Sequence, residues 1–167
     1  VDHTVGISDD ELHNFYTDLL NSVDVVLMGR ITYQLMESFW PVAHKAPQST
    51  QSIMRFADKY NSIKKIIFSE TLKEVKWQNS QLADRNLQEI ISELKNQDGK
   101  NISAGSLSIA LQLLKLDLID EFWIAVHPIV AEKDPHLFEG MDIIKKLKLI
   151  DSTTLSSGVV FHHYQNI

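Results

Sequence analysis

The sequence predicts an α/β domain: a mostly parallel mixed sheet with helices on both faces and an antiparallel hairpin at the C-terminal end. Three observations carry this. Short apolar runs rich in β-branched residues alternate with segments whose apolar residues recur at helical spacing. Such alternation needs crossover connections, so successive strands lie parallel and the helices cover both faces. Two β-prone stretches, 147–155 and 159–165, close the chain around Ser156-Ser157-Gly158, as in a hairpin. Finally, 167 residues with 44% hydrophobic content suffice for one substantial core, whereas two would each be small, so a single domain over 1–167 is expected.

Ser8-Asp9-Asp10-Glu11 has the spacing of a capping box, with the Ser8 hydroxyl and the Glu11 carboxylate placed to satisfy free amides at a helix start. Leu12, Phe15, Tyr16, Leu19 and Leu20 then form one apolar stripe on a helix running to about Asn21. Residues 23–28 are too few for a helix and end at Gly29, so they read as a buried strand. Helical spacing resumes over 32–39 through Ile31, Leu35, Met36 and Phe39, and Pro41 closes it. Residues 43–50, small and polar with Pro47 among them, predict a surface loop with little order.

A short helix through Ile53, Phe56, Ala57 and Tyr60 follows, then a second buried strand over 64–69 and a short third one over 75–77. Asn86 and Glu89 repeat the capping pattern for a helix carrying Leu87, Ile90, Ile91 and Leu94 that stops near Asp98-Gly99. Residues 101–104 form a weaker strand. Residues 107–118 are apolar on nearly every face, which predicts a helix buried on two sides. Residues 122–130 are strongly β-prone and expected at the centre of the sheet.

A net charge of -6 argues against a general nucleic-acid binder, which needs a clustered basic surface. Lys64-Lys65 and Lys145-Lys146-Lys148 read as solvated faces. A single phosphorylated ligand stays compatible, since one or two local cations serve it. The absence of cysteine removes disulfides and thiolate metal sites and points to a reducing compartment, the cytoplasm. No basic start with an apolar run opens the chain, and no stretch of about 18 apolar residues occurs, so neither export signal nor membrane span is expected. His162-His163 do not read as a metal pair, because neighbours on a strand face opposite ways. His127 reads as a hydrogen-bonded core histidine and Trp123 as core or subunit interface.

Two segments share one arrangement of strand, glycine and hydroxyl-bearing helix start: Met28-Gly29-Arg30-Ile31-Thr32 and Ala104-Gly105-Ser106-Leu107-Ser108. In an open α/β sheet both lie at carboxyl ends of strands. Free amides and the helix dipole favour an anion there by about 0.3–1 kcal/mol each, and a glycine lets the backbone approach closely. Arg30 adds a planar fork suited to bidentate phosphate binding. Each motif alone also fits a plain turn with a serine cap, since strand-glycine-helix turns are common. The shared guest that unites them is phosphate.

Val25-Val26-Leu27-Met28-Gly29-Arg30-Ile31-Thr32-Tyr33 resembles the strand and helix start of dihydrofolate reductases, whose Gly-Arg-x-Thr segment meets the cofactor phosphates. Lys65-Ile66-Ile67-Phe68-Ser69 is similar to the family strand that ends at the adenosine portion, and Ala104-Gly105-Ser106-Leu107 falls where the family has its pyrophosphate glycine pair. Leu118-Ile119-Asp120-Glu121-Phe122, His127-Pro128-Ile129-Val130 and Leu137-Phe138-Glu139-Gly140 resemble one branch, the reductase domain at the C-terminal end of bifunctional riboflavin biosynthesis proteins and its stand-alone relatives.

The resemblance implies a dihydrofolate-reductase-like three-layer sandwich and an NADPH-dependent reductase that transfers hydride to a small heterocycle, pterin-like or riboflavin-precursor-like. It implies cofactor contacts from Gly29, Arg30, Thr32, Gly105, Ser106, Leu107 and Ser108, with Ser69 near the adenosine end, and a homodimer. Three departures stand out. No counterpart of the family's opening strand and Ser-Leu-Asp-Gly turn precedes Val1, so either further chain belongs there or the central sheet lacks a strand. Ala104 replaces the first pyrophosphate glycine. Ala131-Glu132-Lys133-Asp134-Pro135-His136 replaces a glycine-bearing loop. Asp10, Glu11 and Asp18 are the nearest analogues of the family's proton donor by element, though helix-start acids also serve the dipole. Two other classes stay open: a nucleotide-binding domain without reductase activity, and a structural dimerisation module motivated by 107–118 and Phe122-Trp123.

Overall fold

The computed structural model describes residues 6–130, 137–138 and 144–167. The chain runs α1 (Asp10–Leu20), β1 (Val23–Gly29), α2 (Arg30–Glu37), a 3-10 helix (Trp40–Lys45), α3 (Gln51–Ser62), β2 (Lys64–Phe68), β3 (Ser80–Leu82), α4 (Leu87–Lys95), β4 (Asn101–Ala104), α5 (Leu107–Lys115), β5 (Glu121–Val126), β6 (Leu147–Thr154) and β7 (Val160–Asn166). The first four strands pair in the order β3-β2-β1-β4, all parallel. The last three form an antiparallel sheet in the order β5-β7-β6.

Alternation along β1 divides the parallel sheet into two dry faces. Val26 and Met28 join Leu20, Tyr33, Phe56, Tyr60 and Trp77 on the side of α1, α2 and α3. Val25 and Leu27 join Ile90 and Ile91 of α4 and Ile109 and Leu113 of α5 on the other. This is the three-layer, mostly parallel arrangement the sequence predicts. A third cluster, Leu12, Leu155, Val159 and Phe161, seats the antiparallel sheet on α1. Among the described residues β4 and β5 are each sheet edges, so the strands form two sheets instead of one with a hairpin at its border.

Several expectations need correction. Asp9, not Ser8, caps α1, its carboxylate accepting from the Leu12 amide at 2.8 Å; an ionised cap suits the positive helix end better. Glu11 turns instead to the backbone amide and hydroxyl of Ser156. Residues 43–50 are not loose: they begin inside the 3-10 helix, with Ala43 fully buried and its carbonyl accepting from Ser49 Oγ. No strand forms over 75–77, because the Trp77 indole fills the core and donates to Asn61 Oδ1 at 2.6 Å. The third strand is the polar segment Ser80-Gln81-Leu82.

On α2 the buried side chain is Tyr33, while Ile31 is 73% exposed. Lys65 is not solvated: it is fully buried, and its Nζ donates to the carbonyls of Asn61, Ile63 and Gln78 beneath the Trp77 ring. β5 is an edge strand, not a central one. His127 lies beyond its end, and His127 Nδ1 has no hydrogen-bond partner among the described residues. The expected loop 131–136 and Glu139-Gly140 lie outside the described residues.

Candidate functional site

The register of the parallel sheet sets the site. Gly29 pairs with Phe68 and Leu27 with Ala104, so β1, β2 and β4 finish at one end of the sheet. The residues that follow, Arg30, Ser69 and Gly105, therefore leave from the same rim. Both glycine turns of the sequence analysis are there together.

Their contact is direct. The Gly29 amide donates to Ser106 Oγ at 3.2 Å, Thr32 Oγ1 donates to the same oxygen at 3.2 Å, and Ser106 Oγ lies 3.3 Å from Ser108 Oγ. Ser106 is 2% exposed. It is the N-cap of α5, yet its side chain caps none of that helix's backbone amides, and Gly29, the N-cap of α2, has no side chain to offer. Both helix starts thus keep first-turn amides unfilled by a cap, and their positive ends converge.

The remaining predicted residues fall around this cluster. A Cβ built on Gly105 would meet nothing within 4 Å, so its backbone faces open space. Leu107, the first residue of α5, is half-buried, and Ser108 beside it is exposed. Arg30 is exposed at the start of α2, with Nη1 donating to Gln34 Oε1 at 3.1 Å. Ser69 is engaged in its own turn, where Oγ accepts from the amides of Thr71 and Leu72 at 3.2 and 3.0 Å and lies 3.5 Å from Thr71 Oγ1. The open backbone at Gly105, the hydroxyl of Ser108 and the exposed cation of Arg30 are chemically suited to an anionic group.

The acids expected near a proton-transfer site are less apt. Ser52 and Thr50 donate to the Asp10 carboxylate and hold it below the usual range, the reverse of what a general acid near neutrality needs. Glu11 is bound to Ser156. Asp18 sits in the last turn of α1, which ends where β1 begins, at the far rim from Gly29. His162 and His163 face opposite ways, the first to Ser152 and the second, stacked on Trp123, to Glu121. Trp123 itself is part-exposed. Among the described residues no acid or histidine cluster is set to hold a metal, and no helix is long and apolar enough to cross a membrane.

What sequence reasoning missed is the link itself. The hydroxyl residues at 32, 106 and 108 were visible as candidates, but no local signal shows that residues 77 apart share a hydrogen bond.

Parallel strands ending in two glycine turns, with helices on both faces and an antiparallel C-terminal sheet, define a domain of dihydrofolate-reductase-like architecture. The chain belongs to the RibD C-terminal domain family, whose model matches residues 2–161. The protein YyaP of Bacillus subtilis (strain 168) is 32% identical over 146 residues, spanning 87% of this chain and 75% of YyaP. YwjB of the same organism is 26% identical over 151 residues, 90% of this chain and 78% of YwjB. A structure described as a riboflavin biosynthesis protein from Shewanella sp. PV-4 superposes with a TM-score of 0.73 at 20% identity, over 99% of this chain and 85% of that one. A pyrimidine reductase-like protein from Corynebacterium diphtheriae NCTC gives 0.67 at 18% identity, over 100% and 84%. The two structural likenesses bear on the fold.

Proposed function

We propose that this protein is an NADPH-dependent reductase, one domain over 1–167, that passes hydride to a small heterocycle of pterin-like or riboflavin-precursor-like kind. The observation that carries the reading is the meeting of the Gly29 and Gly105 turns at Ser106, which joins two helix starts into one anion cleft. Gly29, Thr32, Gly105, Ser106, Leu107 and Ser108 form the phosphate cradle, Arg30 closes on it, and Ser69 lies toward the adenosine end. When bound, the cofactor supplies the hydride. The chain's own share is to hold the phosphates, fix the orientation of the cofactor against its substrate and keep water from the reacting face. Family membership and the reductase-like neighbour in Corynebacterium diphtheriae support the same reading. A cytoplasmic homodimer is part of the proposal.

Titration with NADPH tests it. Wild type binds, and Arg30→Ala weakens binding about tenfold, the worth of one hydrogen bond to a charged group; unchanged affinity removes Arg30 from the site. Binding without turnover is a second reading, motivated by Ala131-Glu132-Lys133-Asp134-Pro135-His136 in place of the family's glycine-bearing loop. NADPH consumption across a panel of pterins and aminopyrimidines separates the two, and size-exclusion chromatography with light scattering reads the dimer.

A further inference from the structure

The register of the antiparallel sheet assigns its two faces. Trp123, Ala125, Phe161 and His163 share the side seated on α1, and their neighbours along each strand face away from it. The outward positions carry Phe122, Ile124 and Val126 of β5, Val160 and Tyr164 of β7, and Leu149 of β6. None of these six is buried, Val126 and Leu149 are 48% and 52% exposed, and among the described residues none belongs to any of the three cores. No Asp, Glu, Lys or Arg occupies an outward position on the three strands, whereas Glu121, Lys148 and Asp151 stand at inward ones. An antiparallel sheet with one face in water alternates apolar and polar residues; here both faces are apolar, which calls for a second packing partner. Aromatic side chains without charge are the composition of an interface centre.

We infer that this face packs on the same face of a second copy about a two-fold axis parallel to β7, so that β5 of one protomer lies over β6 of its partner. The charges that border the face select the axis. Glu121 on β5 and Lys148 on β6 both pair with Gln165, so they mark one end of the sheet at opposite borders. Asp120 adds to the acidic border and Lys146 to the basic one, and all four residues are exposed. An axis parallel to β7 sets acidic border against basic border on both sides of the contact, while an axis across the strands would set each border against itself. Three strands about 4.8 Å apart, each about seven residues long at about 3.4 Å per residue, project roughly 340 Å², less than half of the about 800 Å² per partner in a stable complex. The borders therefore have to join the contact, as a charged rim around an apolar centre. The inference rests on the homodimer of the proposed function, whose surface it names, and not on the cofactor cleft.

Sedimentation equilibrium on wild type, Ile124→Asp, the double variant Ile124→Asp/Ser152→Lys and a control, Val42→Asp, tests it. Val42 is 46% exposed on the 3-10 helix, away from the sheet face. Ile124 and Ser152 both pair with His162, so the proposed axis places Ile124 of one protomer opposite Ser152 of its partner. Wild type is a dimer, and Ile124→Asp raises its dissociation constant about a hundredfold, because two carboxylates enter the centre of the contact without partners. Adding Ser152→Lys supplies the partners and restores most of the affinity, and Val42→Asp dimerises as wild type does. Circular dichroism checks the fold; if Ile124→Asp does not fold, Leu149→Asp, on an exposed side chain of the same face, decides in its place. Undiminished dimerisation of the face variant refutes this surface and leaves the homodimer reading standing, whereas a monomeric wild type removes both, whatever else the face then binds. Loss of the dimer without recovery in the double variant overturns the axis, and an equal loss in Val42→Asp overturns the face.

Discussion

A methyl group placed on Gly29 would meet Ser108 Oγ at 2.8 Å, closer than real side chains come, although the two residues belong to different strand-helix units. Gly29→Ala therefore forces the serine hydroxyl to swing away, and a second contact at 3.2 Å, to Ser106 Oγ, has to loosen as well. We expect a loss of about 1 kcal/mol, at the low end of overpacking costs because the obstacle is a rotatable tip. Ser108→Ala in the same chain should return most of it. Urea unfolding of the two single variants and the double variant reads this as a non-additive pair.

Tyr33 is the polar anchor under α2. Its Oη donates to Glu37 at 2.6 Å and accepts from the amides of Lys76 and Trp77 at 3.0 and 3.2 Å. Tyr33→Phe keeps the ring and strands those amides, one of them buried, so it should cost about 1–3 kcal/mol in chemical denaturation. A neutral result would mean that water reaches both amides.

Lys65 predicts a pH dependence. Burial pushes its ammonium down to about 8 from 10.5, against the pull of three carbonyls and the Trp77 ring. Above about 8 the folded chain has shed this proton while the unfolded chain still holds it, so the unfolded state binds more protons and stability rises with pH. The contribution is complete above 10.5 and is lost as pH falls through about 8. Tyr16, Tyr33 and Tyr60, all raised chiefly by burial, act the other way once pH passes 10. Melting curves taken between 8 and 10 should climb for wild type and flatten for Lys65→Met; equal slopes would refute a buried, titrating lysine.

Asp10 is held ionised by Ser52 and Thr50. Asp10→Asn should therefore leave the limbs of any pH–rate profile where they are. A limb that disappears in this variant would make Asp10 the proton donor after all.

The parts of the fold that were legible are those where local chemistry and tertiary position agree. β1 and β2 are short, apolar and β-branched, and they lie buried in the middle of the parallel sheet. The Asn86 cap of α4 accepts from the Glu89 amide as its spacing implies. Where a partner far along the chain decides, the sequence is silent. Ser80-Gln81-Leu82 has no strand signal and extends because it pairs with Lys65, Ile66 and Ile67. β5 has strong strand propensity, which says that it is a strand but not that it lies at an edge. Lys65 looks like any surface lysine until Trp77 and three carbonyls enclose it. At the site, the residue types on both glycine turns could be named from the sequence, but not the hydroxyl that fastens one turn to the other.

One helix serves two cores. Tyr16 of α1 packs against the cluster under the parallel sheet and against the cluster that seats the antiparallel one, and Phe15 stacks on Phe161 at 4.0 Å. Glu11 is joined to Ser156 across 145 residues. During synthesis this helix emerges 145 residues ahead of Ser156 and keeps an apolar flank bare until the strands that cover it have been made. The interval before Ser156 and Phe161 appear is therefore when this flank of the nascent chain is most exposed to chaperones and to wrong partners.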